Sequence, residues 1–172
     1  MISDLRSDTV TRPTPAMREA MLAASVGDDV FGDDPSVNQL QEQAARLFGM
    51  EAALFCPSGT MTNQIAINVH TRPGDEVICD RLAHIYQYEG GGIARNSGCS
   101  VALLEGDRGR FAATAVEAAI QPDDVHRPRT HLVAVENTVN KGGGAIWSYQ
   151  DLEAIAVVCR NHKLPFHLDG AR

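Results

Sequence analysis

The stretch "LPFHLDGAR", residues 164–172, joins a short apolar strand to an acid, a glycine and an arginine. Ligands of open α/β sheets gather outside the carboxyl ends of the strands. A strand that delivers Asp169 and Arg172 at its carboxyl end is therefore typical of a chain that is entering a ligand site. If short apolar strands of this kind recur along the chain, they indicate its fold class.

The pattern recurs, and helical segments separate its copies. Apolar helix faces follow cap signals at Thr14, Asp34 and Ser148, and Thr114 with Glu117 forms a predicted capping box. Short, continuously apolar strands that alternate with helices predict an α/β fold, a mostly parallel sheet with helices on both faces. The other four predicted strands are residues 52–56, 76–79, 100–105 and 131–136.

Composition excludes several classes of function. The chain has 172 residues, 44% of them hydrophobic and 22% charged, and a net charge of −7 without any cluster of basic residues. This balance argues against a nucleic-acid or membrane partner. The first residues have neither the basic start nor the apolar run of a signal peptide. Four scattered cysteines without a C-x-x-C pair predict reduced, mostly buried thiols in a cytoplasmic protein.

The segment "CPSGTMTN", residues 56–63, is a candidate phosphate site. It places Ser58, Gly59 and Thr60 at a junction between a strand and a helix, where free N–H groups and the positive helix end face an anion. A plain helix N-cap at Ser58 is the alternative, and N-caps are common.

The histidines do not predict a metal site, because no pair has ligand spacing such as H-E-x-x-H. His84 lies in the predicted ligand zone after a strand, and His126 lies in the loop "PDDVHRP". His131 and His167 fall within strands, where a structural role is the simpler interpretation. Asp169 is either a cap for a following helix or a carboxylate at the bottom of a ligand pocket.

Seven colinear blocks resemble one family, the low-specificity L-threonine aldolases. This family belongs to the enzymes that use pyridoxal 5′-phosphate (PLP) and share the aspartate-aminotransferase-like fold. The N-terminal block together with the "GDDVFGDDP" segment is the most specific part of the resemblance. The blocks are "DLRSDTVTRPT" (4–14), "VGDDVFGDDPSVNQLQ" (26–41), "PSGTMTNQIA" (57–66), "AHIYQYEGGG" (83–92), "PDDVHRPRT" (122–130), "ENTVNKGGG" (136–144) and "HLDGAR" (167–172).

The resemblance implies a role for each matching residue. Ser58, Gly59 and Thr60 would bind the cofactor phosphate, and His84 would stack on the pyridine ring. Asp169 would pair with the ring nitrogen and keep it protonated, so that the ring can accept electrons. The remaining matches concern the substrate: Ser7 and Arg172 would hold its carboxylate, and His126 would lie near its hydroxyl.

The implied reaction is retro-aldol cleavage of L-threonine or L-allo-threonine into glycine and acetaldehyde. A histidine, His84 or His126, would take the proton of the β-hydroxyl. A related β-eliminating lyase and an enzyme like serine hydroxymethyltransferase are alternatives. The complete enzyme would be a cytoplasmic homodimer or homotetramer that acts on a small β-hydroxy amino acid.

Two kinds of departure from the family pattern stand out. Phe31 and Val139 replace a frequent tyrosine and a frequent histidine, and are expected to tune the substrate pocket. In this family the Schiff-base lysine lies downstream of the "DGAR" strand, and neither Lys141 nor Lys163 occupies its position. Residues 1–172 are therefore expected to be the N-terminal part of the PLP-binding large domain, without the Schiff-base region or the C-terminal small domain. Alone, they are expected to be inactive; a role as a dimerisation module is a further alternative.

Overall fold

A computed structural model describes Asp4 and residues 7–171 of the chain. The described residues form two compact units, one that ends at Phe55 and one that begins at Cys56. Arg172, to which the resemblance assigns the substrate carboxylate, lies outside the described residues. No helix in the described part of the chain combines the length and the apolar character needed to cross a membrane.

The described residues of the first unit form two α-helices, each with the predicted cap. Helix α1 is Pro15–Ala23 and helix α2 is Pro35–Phe48; short 3₁₀ turns lie at Asp8–Val10 and Asp29–Phe31. The Thr14 side chain accepts the N–H of Met17 and caps α1. Proline follows both caps, where its missing N–H costs no helical hydrogen bond. Both predicted helix starts are confirmed.

Asp34 closes the loop that precedes α2. Its carboxylate accepts the N–H groups of Gly27 at 3.0 Å, Ser36 at 2.9 Å and Val37 at 3.0 Å. The hydrogen bonds from Val37 and Gly27 lower the pKa of Asp34 below its usual value, because they favour the ionised form. A side chain at Gly27 would place its Cβ 2.3 Å from the carbonyl oxygen of Asp33. The acidic "GDD" segment is therefore a structural turn.

The second unit is built on a four-stranded parallel sheet. Strands β1 (Asp75–Asp80), β2 (Ser100–Leu104), β3 (Arg129–Glu136) and β4 (Phe166–Asp169) lie in the order β2-β1-β3-β4. Every neighbouring pair is parallel. The predicted parallel sheet is confirmed, and four of the five predicted strands belong to it.

Five helices accompany the sheet: α3 (Gly59–His70), α4 (His84–Gln87), α5 (Gly92–Ser97), α6 (Ala113–Ala119) and α7 (Tyr149–Asn161). Alternate residues of the strands enter two separate cores, because successive side chains of a strand point to opposite faces. Val77 and Leu132 pack with Ile67 of α3 on one face. Ile78 and Val133 pack with apolar residues of α6 and α7 on the other. The predicted cover of both faces is confirmed.

Two local predictions are wrong. Residues 52–56 have no regular secondary structure and are not part of the sheet, and Leu54 and Phe55 remain 65% and 49% exposed. Helix α6 begins after Ala112, which has no side-chain cap, so Thr114 and Glu117 do not form a capping box. An apolar run indicates a strand only if neighbouring backbone is placed to pair with it, and composition alone does not report that.

Burial of the side chains also determines the protonation of the buried cysteines and the role of Val139. All four cysteines are free, and three of them are buried. Burial raises the pKa of Cys79 to about 12 and that of Cys159 to about 11, so both thiols stay protonated at neutral pH. Val139 is 1% exposed and packs in the core with Phe111 and Trp147. This position corrects the expectation that Val139 tunes a substrate pocket.

Candidate active site

Three adjacent strands end in a buried acid at the same edge of the sheet. β1 ends at Asp80, β3 at Glu136 and β4 at Asp169, which are 3%, 4% and 8% exposed. Glu136 and Asp169 are opposite each other in the register of β3 and β4. The edge where parallel sheets bind ligands is therefore also where this chain concentrates negative charge.

Two of these acids hold neighbouring loops in place through hydrogen bonds to backbone N–H groups. Asp80 accepts two backbone N–H groups at 2.8 Å, one from the loop after β1 and one from the loop after β2. Glu136 accepts the backbone N–H of His84 at 2.9 Å and that of Asn140 at 2.8 Å. Because β3 and its loops fix the backbone of His84, this histidine is held close to the third acid, Asp169.

Asp169 belongs to a cluster with His84 and Glu89. One ligand-type atom from each of the three residues lies within 4.8 Å of the others. Asn63 of α3 connects the two acids, because its Nδ2 donates to Glu89 Oε1 at 2.9 Å and to Asp169 Oδ2 at 3.0 Å. His84 Nδ1 lies 2.9 Å from Glu89 Oε1. Helix α3, helix α4 with the loop that follows it, and the end of β4 thus meet in one hydrogen-bonded group.

The donors around this cluster do not favour a metal ion. Asn63 Nδ2 and Gln64 Nε2 both point their hydrogens at Glu89, the latter at 2.6 Å. Amide hydrogens directed at the carboxylate oxygens would oppose a cation at the same place. The arrangement suits a buried hydrogen-bond network, in which polar groups without water find protein partners.

His167 of β4 completes the network. Both hydrogens of the Asn63 amide are directed at carboxylates, so Asn63 Oδ1 acts as an acceptor and His167 Nε2, at 3.0 Å, donates to it. Burial lowers the pKa of His167 below its ordinary value of 6.5, and the charges of Asp169 and Glu89 only partly oppose that shift. His167 is therefore a neutral, structural donor, as its place within a strand suggested.

This shift predicts a pH dependence of stability. Below a pH of about 6.5, the unfolded-state pKa of histidine, His167 binds a proton in the unfolded chain but stays neutral in the folded chain. The free energy of unfolding therefore falls as the pH drops. The stability that neutral His167 contributes is fully present above a pH of about 6.5. It is lost as the pH falls toward the lower pKa of His167 in the folded state. Between about pH 7 and pH 5, the urea midpoint of the wild type should fall more than that of His167→Gln, which keeps a donor near Asn63. Equal falls would contradict the assignment.

The start of α3 has the geometry expected of an anion site. Ser58 is the N-cap, and its Oγ accepts the N–H of Met61 at 3.2 Å. The N–H groups of Gly59 and Thr60 belong to the first turn, which has no intrahelical acceptors. A Cβ built at Gly59 meets nothing within 4 Å, so the space before the helix is open. Asn63 follows one turn later, at a rise of about 6 Å along the axis.

The open space of the second unit lies beside this turn. A cavity of about 420 Å³ is lined by Ser58, Thr60, Met61, Gln64, Ile65, Asn68 and Asn96. Its volume is within the range of small-molecule sites. His84 and Asp169 line a separate, shallow depression together with Ala83 and Glu136. Gln64 therefore lies between the cavity and the acid cluster.

Tyr88 and Lys141 flank the histidine. The rings of His84 and Tyr88 are 5.4 Å apart and tilted by 34°, and Lys141 Nζ lies 5.1 Å from the centre of the Tyr88 ring. Lys141 is thus on the same side of the sheet edge as His84. A cation over an aromatic face is held there by the ring quadrupole.

The structure does not place His126 in this cluster. His126 is exposed and precedes β3, whereas the cluster lies beyond the carboxyl ends of the strands. Ser7 belongs to the first unit, where its Oγ accepts the N–H of Thr9 at 3.2 Å. The roles of His126, Ser7 and Arg172 stay predictions.

Three residues of the cluster were missed in the sequence: Asn63, Gln64 and Glu89. Asn63 and Gln64 stand among apolar residues in the helical segment "MTNQIAI", and this was the only sequence signal available; the structure shows both to be buried. Glu89 precedes the glycines at 90–92 and has the sequence context of a surface loop. Its side chain is nevertheless 0% exposed.

The fold alone defines the structural class of the chain. A solved aspartate aminotransferase from Rhizobium meliloti superimposes with a TM-score of 0.61 at 22% identity, covering 88% of this chain and 38% of that one. The likeness confirms the aspartate-aminotransferase-like fold. The model of the beta-eliminating lyase family matches residues 4–172, and the chain belongs to that family.

Two relatives are more similar. The low specificity L-threonine aldolase of Escherichia coli K12 is 45% identical over 170 residues, 98% of this chain and 50% of the relative. A solved threonine aldolase of Leishmania major superimposes with a TM-score of 0.78 at 29% identity, covering 91% of this chain and 45% of that one. The resemblance to threonine aldolases is confirmed. The chain spans about half the length of the curated relatives it matches.

Enzymes of this family depend on PLP, and the residues present fit that cofactor. The buried carboxylate of Asp169 is an acceptor for a protonated ring nitrogen, and the ring of His84 lies beside it. Gly59 and Thr60 offer N–H groups toward open space one helical turn away. Acid, ring and anion site therefore occur together in the second unit.

Proposed function

We propose that the intact protein is a PLP-dependent aldehyde lyase that cleaves L-threonine or L-allo-threonine into glycine and acetaldehyde. The observation that carries the proposal is the buried cluster of Asp169, Asn63, Glu89 and His84 beside the open first turn of α3. The similarity to threonine aldolases supports the choice of reaction among PLP enzymes.

Each residue has a physical task in this proposal. When bound, PLP supplies an electron sink for the carbon–carbon bond that breaks. The N–H groups of Gly59 and Thr60, with the hydroxyl groups of Ser58 and Thr60, bind its phosphate. Asp169 holds the proton at the ring nitrogen, because a buried carboxylate stabilises a positive charge beside it.

His84 has two tasks in the proposal. Its ring packs against the pyridine ring, and its Nε2 accepts the proton of the substrate β-hydroxyl as the carbon–carbon bond breaks. Ser7 and Arg172 hold the substrate carboxylate; arginine suits this task because its planar fork matches a carboxylate. His126 approaches the hydroxyl only if another chain or segment places it there, since it lies at the amino end of β3.

Product analysis tests the proposal. The intact protein with PLP should convert L-threonine or L-allo-threonine into equal amounts of glycine and acetaldehyde, the latter measured with alcohol dehydrogenase and NADH. The family description also covers β-elimination, which would instead release a 2-oxo acid and ammonia. A dominant yield of 2-oxo acid would reject the aldolase proposal and leave the PLP site in place.

We further propose a cytoplasmic homodimer or homotetramer as the working form. Light scattering and fractionation of cells that express the intact protein test this directly. A monomer that is fully active at assay concentration would contradict the oligomer.

Residues 1–172 alone should not cleave threonine. The only lysines of this stretch are Lys141, which lies over Tyr88, and Lys163, which precedes β4 at its amino end. Lys163 lies at the end of β4 opposite the cluster, and Lys141 Nζ lies over the Tyr88 ring. In the family that the chain resembles, the lysine that holds the cofactor lies downstream of the "DGAR" strand. Borohydride reduction after addition of PLP, followed by peptide mass spectrometry, should find no lysine modified at full occupancy. One stoichiometrically modified lysine together with threonine cleavage would overturn this prediction.

A further inference from the structure

The side chain of Glu89 lies at the centre of the cluster and is completely buried, with 0% of it exposed. It is in the loop between α4 and α5, directly before the three glycines at 90–92. Three N–H donors converge on it: Asn63 Nδ2 at 2.9 Å and His84 Nδ1 at 2.9 Å on Oε1, and Gln64 Nε2 at 2.6 Å on Oε2. A buried carboxylate needs such donors in place of water.

The surrounding packing fixes the direction of these donors. Asn96 Nδ2 donates to Gln64 Oε1 at 3.2 Å, which turns Gln64 Nε2 toward Glu89. Gly92 leaves room for this arrangement, because a Cβ there would lie 2.3 Å from Gln64 Cδ. Asn63 is fixed in the same way, since His167 donates to its Oδ1. The amides of Asn63 and Gln64 are therefore both oriented so that they donate hydrogen bonds to Glu89.

This environment decides which nitrogen of His84 carries the proton. An ionised carboxylate accepts hydrogen bonds and cannot donate them. His84 Nδ1, at 2.9 Å from Glu89 Oε1, must therefore carry the hydrogen, and neutral His84 keeps its lone pair on Nε2. A carboxylate that holds the far nitrogen of a histidine base in this way also stabilises the imidazolium that forms when the base takes a proton.

We propose that Glu89 is a positioning residue: it holds His84 in the Nδ1–H tautomer, with Nε2 available as the proton acceptor, and through Asn63 it holds Asp169 in place. The proposal rests on the proposed function, in which His84 Nε2 takes the β-hydroxyl proton. Asn63 links the two effects, because its single amide donates to both Glu89 and Asp169. One buried acid would thus set the orientation of the proton acceptor and of the acid at the cofactor.

The test uses the intact protein and ¹⁵N NMR of the His84 ring, without and with PLP. In the wild type, neutral His84 should show a protonated Nδ1 and an unprotonated Nε2. In Glu89→Gln the side chain keeps its shape but loses its charge, and its new NH₂ group faces a donor. We expect a smaller fraction of the Nδ1–H tautomer and a fall in kcat of at least about tenfold, since the carboxylate behind a histidine base is worth that or more.

A double variant separates positioning from packing. Glu89→Gln with Gln64→Glu restores one acid and one amide to the pair, and Asn96 can donate to the new carboxylate. We expect the melting temperature to return close to the wild-type value while kcat remains low, because the charge no longer faces His84. Glu76→Gln is the matched control. Glu76 is a buried acid at the amino end of β1 that accepts from Gln121 and Thr130, so this change should lower stability but leave the His84 signals unchanged.

Several results would overturn the proposal. A wild-type His84 with its proton on Nε2 would do so without any variant, even if Glu89→Gln fails to fold. Joint recovery of melting temperature and kcat in the double variant would show that Glu89 serves packing alone. If the intact protein cleaves no threonine, the proposed function fails, but the NMR signals still decide whether Glu89 orients His84.

Discussion

Asp169→Asn should lower threonine cleavage by the intact protein by about 10²–10³-fold, the range seen when one preorganised polar group is removed from a site. Asparagine is nearly isosteric with aspartate, and its amide oxygen can still accept the N–H of Asn63, which lies 3.0 Å from Oδ2 in the wild type. The network should therefore survive. A neutral amide cannot stabilise a protonated ring nitrogen as a carboxylate does. Steady-state kinetics at saturating PLP measure the effect.

Asp80→Asn is the control for this prediction. Asp80 is also a buried acid at the carboxyl end of a strand, but its carboxylate accepts backbone N–H groups from two loops. Its replacement should lower the melting temperature and leave turnover per folded, PLP-loaded molecule near the wild-type value. Asp169→Asn with unchanged turnover would show that the acid is only structural.

His84→Ala should lower turnover by about 10²–10⁴-fold, the usual contribution of a general base, and should also weaken PLP binding because the ring that packs on the cofactor is lost. His84→Asn is the more informative change. Its amide can still donate to Glu89, which now bonds His84 Nδ1 at 2.9 Å, but it offers no basic nitrogen. Turnover should therefore fall in both variants, with a smaller loss of stability in His84→Asn.

His126→Ala provides the comparison. His126 is exposed and lies before β3, so its loss should leave the PLP dissociation constant unchanged. Its proposed place near the substrate hydroxyl predicts that the same change reduces cleavage. PLP affinity from fluorescence quenching and kcat from acetaldehyde release separate the two histidines. Wild-type turnover in both His84→Asn and His126→Ala would remove histidine from the proton transfer.

Local sequence predicted most of the regular elements of both units. Four apolar runs became parallel strands, and the caps at Thr14, Asp34 and Ser148 formed as expected. Ser58 also forms the N-cap that was one of its two interpretations. Such features depend on interactions within a few residues, which a sequence displays directly. The run at 52–56 failed because pairing requires a neighbouring strand, and Leu54 and Phe55 remain exposed outside the sheet.

The candidate site was predicted in part, and for a physical reason. Asp169, His84 and the turn at Ser58–Thr60 follow or precede regular elements at the edge where parallel sheets bind ligands. Glu89 gave no such signal, because a lone glutamate before glycines has the pattern of a solvated loop. Asn63 gave only a weak signal, its place among apolar residues of a helix, since a polar residue within a helix is usually at the surface.

The sequence by itself determined the parallel sheet, most of the helix starts and the positions of His84 and Asp169 after or at the ends of strands, because periodicity and capping act over a few residues. Only the tertiary structure decided which side chains form hydrogen bonds with one another. Asn63 meets Glu89 across 26 residues of sequence and Asp169 across 106. These contacts exist because α3, the loop after α4 and the end of β4 pack at one edge of the sheet. Burial there removes water, so that each carboxylate must take its hydrogen bonds from the nearest amide or imidazole.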